Sequence, residues 1–232
     1  MKILILAPFA AVLSSAIASS PAIAEERDPK GWYGTAGVGF LSPNDPAGDE
    51  CVNILGSKVC AGYDYKFDDA FSGEVGVGYD FGKFRVEATY TRSNTSLNKA
   101  KADVSVDGIK YVTLSSKVDD GDANINSFLI NGYIDFETDS KFVPYVGGGI
   151  GYSKINFSSY TVKVDGFTVK SGEGSDGAFG YQAKAGVSYL ASEKVDIFGE
   201  AIFSGTTGFS IDSANVDPIT SWGARAGLRF RF

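Results

Sequence analysis

The side chains able to do chemistry here are carboxylates, hydroxyls, guanidinium and ammonium groups and one pair of cysteines; histidine is absent. Without it no Ser–His or Cys–His pair can form, and the usual general base or water activator of hydrolytic sites is missing. The acidic run Asp119-Asp120-Gly121-Asp122 with Asn124 superficially resembles a calcium loop but lacks the glycine and terminal glutamate at the required offsets, so it reads as a solvated acidic loop. The glycines of Gly147 to Gly151 precede no helix, so they read as strand glycines against a crowded interior and not as a phosphate loop. Cys51 and Cys60 have no histidine or further cysteine to complete a metal site, and in an exported chain they are expected to form one disulfide closing a small loop. By the chain-entropy account such a loop contributes about 2–3 kcal/mol. A net charge of −7, with no basic stripe outside the last dozen residues, makes nucleic acid an unsuitable partner. No catalytic residue, metal or cofactor is expected.

What remains is a set of ten charges spaced by twos along several segments: Glu74, Arg85, Glu87, Asp135, Lys184, Asp196, Glu200, Arg225, Arg229 and Arg231. The last segment shows what such spacing means. In Ser221 to Phe232, one parity reads Trp222, Ala224, Ala226, Leu228, Phe230, Phe232, and the other Gly223, Arg225, Gly227, Arg229, Arg231. Strict alternation is a strand with one apolar face and one face of glycine and arginine. Lipid outside, a polar lumen inside and aromatic residues at the interface would demand that pattern.

Seven earlier segments follow the same rule: Gly31 to Leu41, Ala70 to Tyr79, Phe84 to Thr95, Asn124 to Phe136, Lys141 to Tyr152, Ala178 to Leu190 and Val195 to Ser204. In each, Phe, Val, Tyr, Ile or Ala occupies one parity while charges, hydroxyls and glycines occupy the other. Pro144 marks either a bulge or the start of its strand. The intervening stretches alternate in length. Ser42 to Asp69, Ser96 to Ala123, Ser153 to Gly177 and Gly205 to Thr220 are long and polar. Asp80 to Lys83, Glu137 to Ser140 and Ala191 to Lys194 are tight turns. Within the third long stretch, Val162 to Lys170 has the pattern of a small hairpin standing above the rest.

Eight strands with alternately long and short connections predict an all-β, eight-stranded antiparallel up-and-down transmembrane β-barrel, with long outer loops, short periplasmic turns and both termini on the periplasmic side. Closure removes the unpaired edges that lipid cannot tolerate. A lipocalin-type barrel shares the topology, but its outer face must meet water. Eight strands enclose a lumen that side chains can fill. Its acids and bases nearly match, so the arginines of the last strand are expected to pair with Asp196, Glu200 and other lumen acids. The preferred reading is a polar plug; a narrow ion-selective pore is the alternative.

Met1 to Ala24 has the positive start, short apolar run and small-residue Ala22-Ile23-Ala24 site of a cleaved secretory signal peptide. Residues 25–30 are then expected to be a short periplasmic segment and residues 31–232 the barrel, which leaves no room for a second domain of ordinary size.

The signal segment, G-W-Y-G-T-A-G-V-G-F at residues 31–40, P-Y-V-G-G-G-I-G-Y at 144–152 and G-A-R-A-G-L-R-F-R-F at 223–232 resemble the opacity-type, porin-like small outer-membrane proteins of Gram-negative bacteria, eight-stranded barrels similar to the OmpA transmembrane barrel. The resemblance covers essentially the whole mature chain. It implies residence in the outer membrane among lipid and lipopolysaccharide. It also implies assembly by the barrel-assembly machinery, which reads a terminal aromatic residue matched here by Phe232. It further implies surface loops that contact a host, another cell or matrix. Enzymes do occur among small outer-membrane barrels, but those families lean on histidine. A surface-exposed structural or adhesive barrel is therefore the expected function, and a small porin for ions or small solutes is the alternative.

Overall fold

A computed structural model describes residues 30–44, 47–119, 122–158, 161–164, 167–170, 174–211, 214–216 and 218–232. The signal segment 1–24, residues 25–29 and two residues of the acidic run, Asp120 and Gly121, lie outside the described residues.

The strands are β1 (Gly31–Pro43), β2 (Ala47–Ile54), β3 (Ser57–Phe67), β4 (Ala70–Asp80), β5 (Phe84–Val106), β6 (Ile109–Asp119), β7 (Asp122–Asp135), β8 (Phe142–Phe157), β9 (Thr161–Val164), β10 (Phe167–Lys170), β11 (Gly174–Leu190), β12 (Val195–Thr206), β13 (Phe209–Ile211), β14 (Ala214–Val216) and β15 (Thr220–Arg231). Eight of them close a barrel. β1 pairs with β4, β4 with β5, β5 with β7, β7 with β8, β8 with β11, β11 with β12, β12 with β15 and β15 with β1, all antiparallel. Closure gives the backbone N–H and C=O groups of the wall partners without water, which is what lets strands cross a membrane.

Alternation sorts the side chains. The outward parity exposes Val38, Val75, Val77, Ile130, Ile150, Ile197 and Leu228. This apolar band is bounded by two aromatic belts. At the short-turn end Trp32 packs on Tyr79 (5.4 Å between ring centroids) and Tyr79 on Phe81 (4.7 Å), with Phe142 on Tyr189 (5.0 Å). At the other end Phe40 meets Phe71 (5.7 Å), Tyr90 meets Phe128 (4.8 Å) and Phe203 meets Trp222 (4.6 Å). Trp32 and Phe40 share β1. At about 3.4 Å per residue they stand about 27 Å apart along it, or about 20 Å across a membrane once a strand tilt of about 40° is allowed for. Just past the second belt Tyr90 Oη donates to Asn126 Oδ1 (2.8 Å) and Arg92 to Asn124 Oδ1 (3.4 Å), a polar collar at headgroup depth.

The third long connection holds the expected hairpin, β9–β10, and the other three are not merely polar loops, as their composition suggested; each carries further strands. β5 runs 23 residues, well beyond the barrel rim. Its outer half pairs with β3 on one side and β6 on the other; β2 pairs with β3, and β9–β10 joins through β6. An outer sheet thus rises from the barrel wall. Two turns end it, each with two consecutive left-handed residues: Leu55 (φ 52°) with Gly56 (φ 87°), and Asp107 (φ 50°) with Gly108 (φ 83°). Such turns match the twist of two-residue hairpins. Pro144 makes no bulge: it faces Val187 in an unbroken register, and the strand begins at Phe142.

Candidate functional site

Two features could carry function, the lumen and the outer sheet. In the lumen, alternation on β4, β5, β7, β11, β12 and β15 turns all ten charged residues inward. Glu74, Arg85, Glu87, Lys184, Asp196, Glu200, Arg225 and Arg229 are buried. The side chains of Asp135 and Arg231 retain 12% and 13% of their exposure.

They divide into layers. Nearest the short turns, Arg231 reaches Asp80 (2.7 Å) and Asp196 (3.0 Å), and Arg229 reaches Asp196 (3.3 Å) and Ser188 (3.3 Å). Arg85 grips Asp135 through Nε (2.6 Å) and Nη2 (2.8 Å), a bidentate pair. The Arg85 guanidinium lies 4.6 Å from the ring centroid of Tyr133, 5.1 Å from Tyr145 and 5.9 Å from Tyr33, so aromatic faces supply much of its surroundings.

At mid-barrel, Lys184 Nζ lies 2.6 Å from Glu74 and 3.5 Å from Glu200, while Arg225 Nη1 lies 2.7 Å from Glu74 and 3.3 Å from Glu200. The remaining carboxylate lone pairs are met by neutral donors: Thr91 on Glu74 (2.8 Å) and Tyr145 on Glu200 (2.9 Å). Glu87 accepts from Tyr133 Oη (3.2 Å), which in turn accepts from Lys184 (3.2 Å). Gln182 donates to Asn131, which donates to Thr89 (2.9 Å). The glycines of β8 make the room: a Cβ at Gly149 would run into Asn131, and one at Gly147 into the Tyr133 ring.

Among these groups the open space is a cavity of about 10 Å³, room for about one water at most. Such a lumen can brace the barrel, and its side chains leave little open space at this level. Asp80, Tyr33, Tyr133 and Tyr145 belong to this network and were not among the residues singled out from the sequence. Asp80 is an even-numbered neighbour of Glu74 on β4, so its parity was the available signal.

The outer sheet is two-faced. Val52 faces Val59, Val59 faces Val106 and Val106 faces Ile109 across successive strands. Val104, opposite Ala61, and Ile54 extend the same apolar face. Val52, Ile54, Val104 and Ile109 are exposed, and Leu55 at the tip is wholly so. The opposite face carries the Cys51–Cys60 disulfide and an ion pair between Lys110 and Asp103 (3.0 Å). The cysteines sit directly across from one another on β2 and β3, and Lys58 N donates to Asp107 Oδ1 (2.8 Å), tying the two hairpin tips together. At the other end of the molecule Phe232 is exposed beside Phe230, and its N–H donates to Trp32 O (3.1 Å).

The profile of the outer membrane protein beta-barrel domain matches residues 9–230. Among curated proteins the chain is similar to outer membrane protein PagN of Salmonella typhimurium (24% identical, 55% of this chain and 54% of that protein). It is also similar to opacity protein opA67 of Neisseria gonorrhoeae (32%, 42% and 43%). A Rickettsia bellii protein named as a candidate adhesin is 32% identical over 67% of this chain and 62% of its own. The chain thus spans about half the length of the first of these relatives. Among solved structures, Neisserial surface protein A superposes with a TM-score of 0.50 (20% identity; 87% of this chain, 97% of that one). The protease OmpT of Escherichia coli superposes with 0.52 (8%; 92% and 100%). At these identities the superpositions speak for the fold alone.

Proposed function

The chain belongs to the outer-membrane β-barrel protein family and resides in the bacterial outer membrane; from that premise we propose that it works as a surface-display barrel whose outer sheet engages a ligand on a host cell, another cell or matrix. The observation that carries the reading is the apolar face of that sheet, held beyond the membrane by β5 and left exposed at Val52, Ile54, Leu55 and Ile109. Exposed apolar clusters rimmed by polar residues are characteristic of interaction surfaces. The name of the Rickettsia bellii relative supports the same reading. The filled lumen favours display over conduction, because side chains occupy the space that solutes would need.

Catalysis has no place in this proposal. Histidine is absent, and the buried carboxylates are engaged with cations and hydroxyls. The proposal includes a cleaved signal peptide at residues 1–24, a short periplasmic segment at 25–30 and a barrel over 31–232. It also includes contact with lipopolysaccharide along the belts and recognition of Phe232 by the assembly machinery.

The test is attachment of bacteria displaying the protein to cultured cells or matrix-coated plates. Ile54→Ser with Ile109→Ser should reduce attachment at least tenfold at unchanged surface level. Attachment unchanged in that variant would remove the outer sheet from the function.

A further inference from the structure

Between the barrel wall and the outer sheet, the outward face of β5, β7 and β8 carries a shelf of cations and amides. The register sets Arg92 opposite Asn126 and Asn126 opposite Lys154; two residues further out, Asn94 stands opposite Asn124. Arg92, Asn94 and Lys154 are exposed, and Asn124 and Asn126 are half-buried. Positions facing one another across a ladder share a face, so these side chains form one patch, on the parity that turns Ile130 and Ile150 toward lipid. At about 4.8 Å per strand, Arg92 and Lys154 stand about 10 Å apart at the backbone.

Hydrogen bonds within the patch leave it rich in donors. Arg92 Nε donates to Asn94 Oδ1 (3.3 Å) and Nη2 to Asn124 Oδ1 (3.4 Å), while Tyr90 Oη donates to Asn126 Oδ1 (2.8 Å). Each amide oxygen is thus turned to a donor of the protein, and each amide Nδ2 remains to donate outward. Among the described residues neither Arg92 nor Lys154 has a carboxylate partner. The next carboxylate along β7, Asp122, accepts from Ser96 Oγ (3.2 Å). Two cations with outward amide donors between them complement an anionic, oxygen-rich headgroup, phosphate above all.

Directly beneath lies a groove of about 530 Å³ in the lipid-facing wall. Val75 and Val77 of β4 border it on one side, and Phe128, Ile130 and Ile150 of β7 and β8 on the other, all exposed. Ala88 stands between Val77 and Ile130 in the register, and its single methyl leaves the dip. Val75, Tyr90 and Phe128 form the outermost row of the lining, and the Tyr90 hydroxyl bonds the shelf at Asn126, so groove and shelf meet. The size is that of ligand pockets, about 300–1,000 Å³.

We propose that this is the site of one lipopolysaccharide molecule, the shelf holding the phosphorylated sugars of its lipid A and the groove a stretch of one acyl chain. The separation of Arg92 from Lys154 suits a headgroup with a phosphate at each end, and the amides between them meet sugar oxygens. A phospholipid, with one phosphate, engages only one of the two cations. The site makes specific the lipopolysaccharide contact included in the proposed function. It rests on residence in the outer membrane with the long connections outward, and not on what the outer sheet binds.

The test is native mass spectrometry of the refolded protein in detergent micelles, titrated with bisphosphorylated lipid A and, separately, with dephosphorylated lipid A and with phosphatidylglycerol. The expected result is one saturable lipid A per barrel, with the other two lipids weaker by about tenfold or more. Arg92→Gln with Lys154→Gln should weaken lipid A to the level of its dephosphorylated form. Ala88→Phe, which fills the groove, should weaken it about fourfold for each methylene displaced. The heat-dependent gel shift confirms folding, and if Ala88→Phe does not fold, the glutamine pair decides. Equal binding of phosphatidylglycerol or of dephosphorylated lipid A would overturn the proposal, as would affinity unchanged in either folded variant. Ile54→Ser with Ile109→Ser should keep lipid A binding in full, so failure of this site and failure of the outer sheet as the attachment surface are separate outcomes.

Discussion

Lys184→Met tests the mid-barrel cluster most sharply. Lys184 Nζ sits 2.6 Å from Glu74 and 3.5 Å from Glu200, and its side chain is 1% exposed. Here two cations, Lys184 and Arg225, are each paired with the same two carboxylates, Glu74 and Glu200. Methionine keeps the length and unbranched shape of lysine, so little of its effect is packing. It leaves two buried carboxylates sharing Arg225, with a net negative charge between them. Removing one partner of a buried pair costs about 3–5 kcal/mol. Adding Glu74→Gln restores balance: Arg225 keeps Glu200 at 3.3 Å, and glutamine can still accept from Thr91. The double variant should therefore regain about 1–3 kcal/mol relative to Lys184→Met alone, a coupling of the size seen between directly contacting residues. The assay is urea unfolding of the refolded barrel in lipid vesicles by tryptophan fluorescence, with midpoint and slope both recorded. A double variant less stable than Lys184→Met, or a single variant within about 0.5 kcal/mol of wild type, would refute the reasoning.

Three further outcomes follow from the same geometry. Arg229→Leu should cost less than Lys184→Met, about 2 kcal/mol, because Asp196 keeps Arg231 at 3.0 Å; the same unfolding assay ranks the two. Gly151→Ala should destabilise by about 1–3 kcal/mol, since its Cβ would meet the Phe128 carbonyl and Leu129 backbone, whereas Gly148→Ala has only the Gln182 carbonyl nearby at 3.3 Å and should stay within about 0.5 kcal/mol. Paired Cys51→Ser and Cys60→Ser should leave the barrel's unfolding midpoint unchanged but speed proteolysis of the β2–β3 hairpin, as the bridge contributes about 2–3 kcal/mol to that hairpin alone; equal nicking of both forms would contradict this.

The barrel was readable because lipid and lumen impose opposite demands on alternate residues. Where both held, as from Val75 to Tyr79 or Val195 to Phe203, parity alone located the wall. Beyond the rim neither face meets lipid, and the constraint weakens. Leu97 to Val106 mixes lysine, alanine, aspartate and valine, so it read as a polar connection, yet it is the outer half of β5. Two signals were available there. Asp107-Gly108 is a two-residue hairpin turn flanked by valine and isoleucine, and Cys51 and Cys60 sit symmetrically about Leu55-Gly56. At the lumen, charge and parity identified the ionic residues. Tyr133 sits directly opposite Arg85 on the neighbouring strand, but that register, and the reach of Tyr33 and Tyr145 to Arg85 across the lumen, depend on strand stagger, which no local pattern encodes.

The division of labour between a closed lumen and a displayed outer sheet is tested most directly by single-channel conductance of the refolded protein in a planar bilayer, with folding confirmed by its heat-dependent gel shift. The account predicts a folded barrel that stays silent, because Glu74, Lys184, Glu200 and Arg225 fill its middle. Steady, reproducible openings altered by Lys184→Met or Arg225→Met would contradict it and make the charged layer a gate.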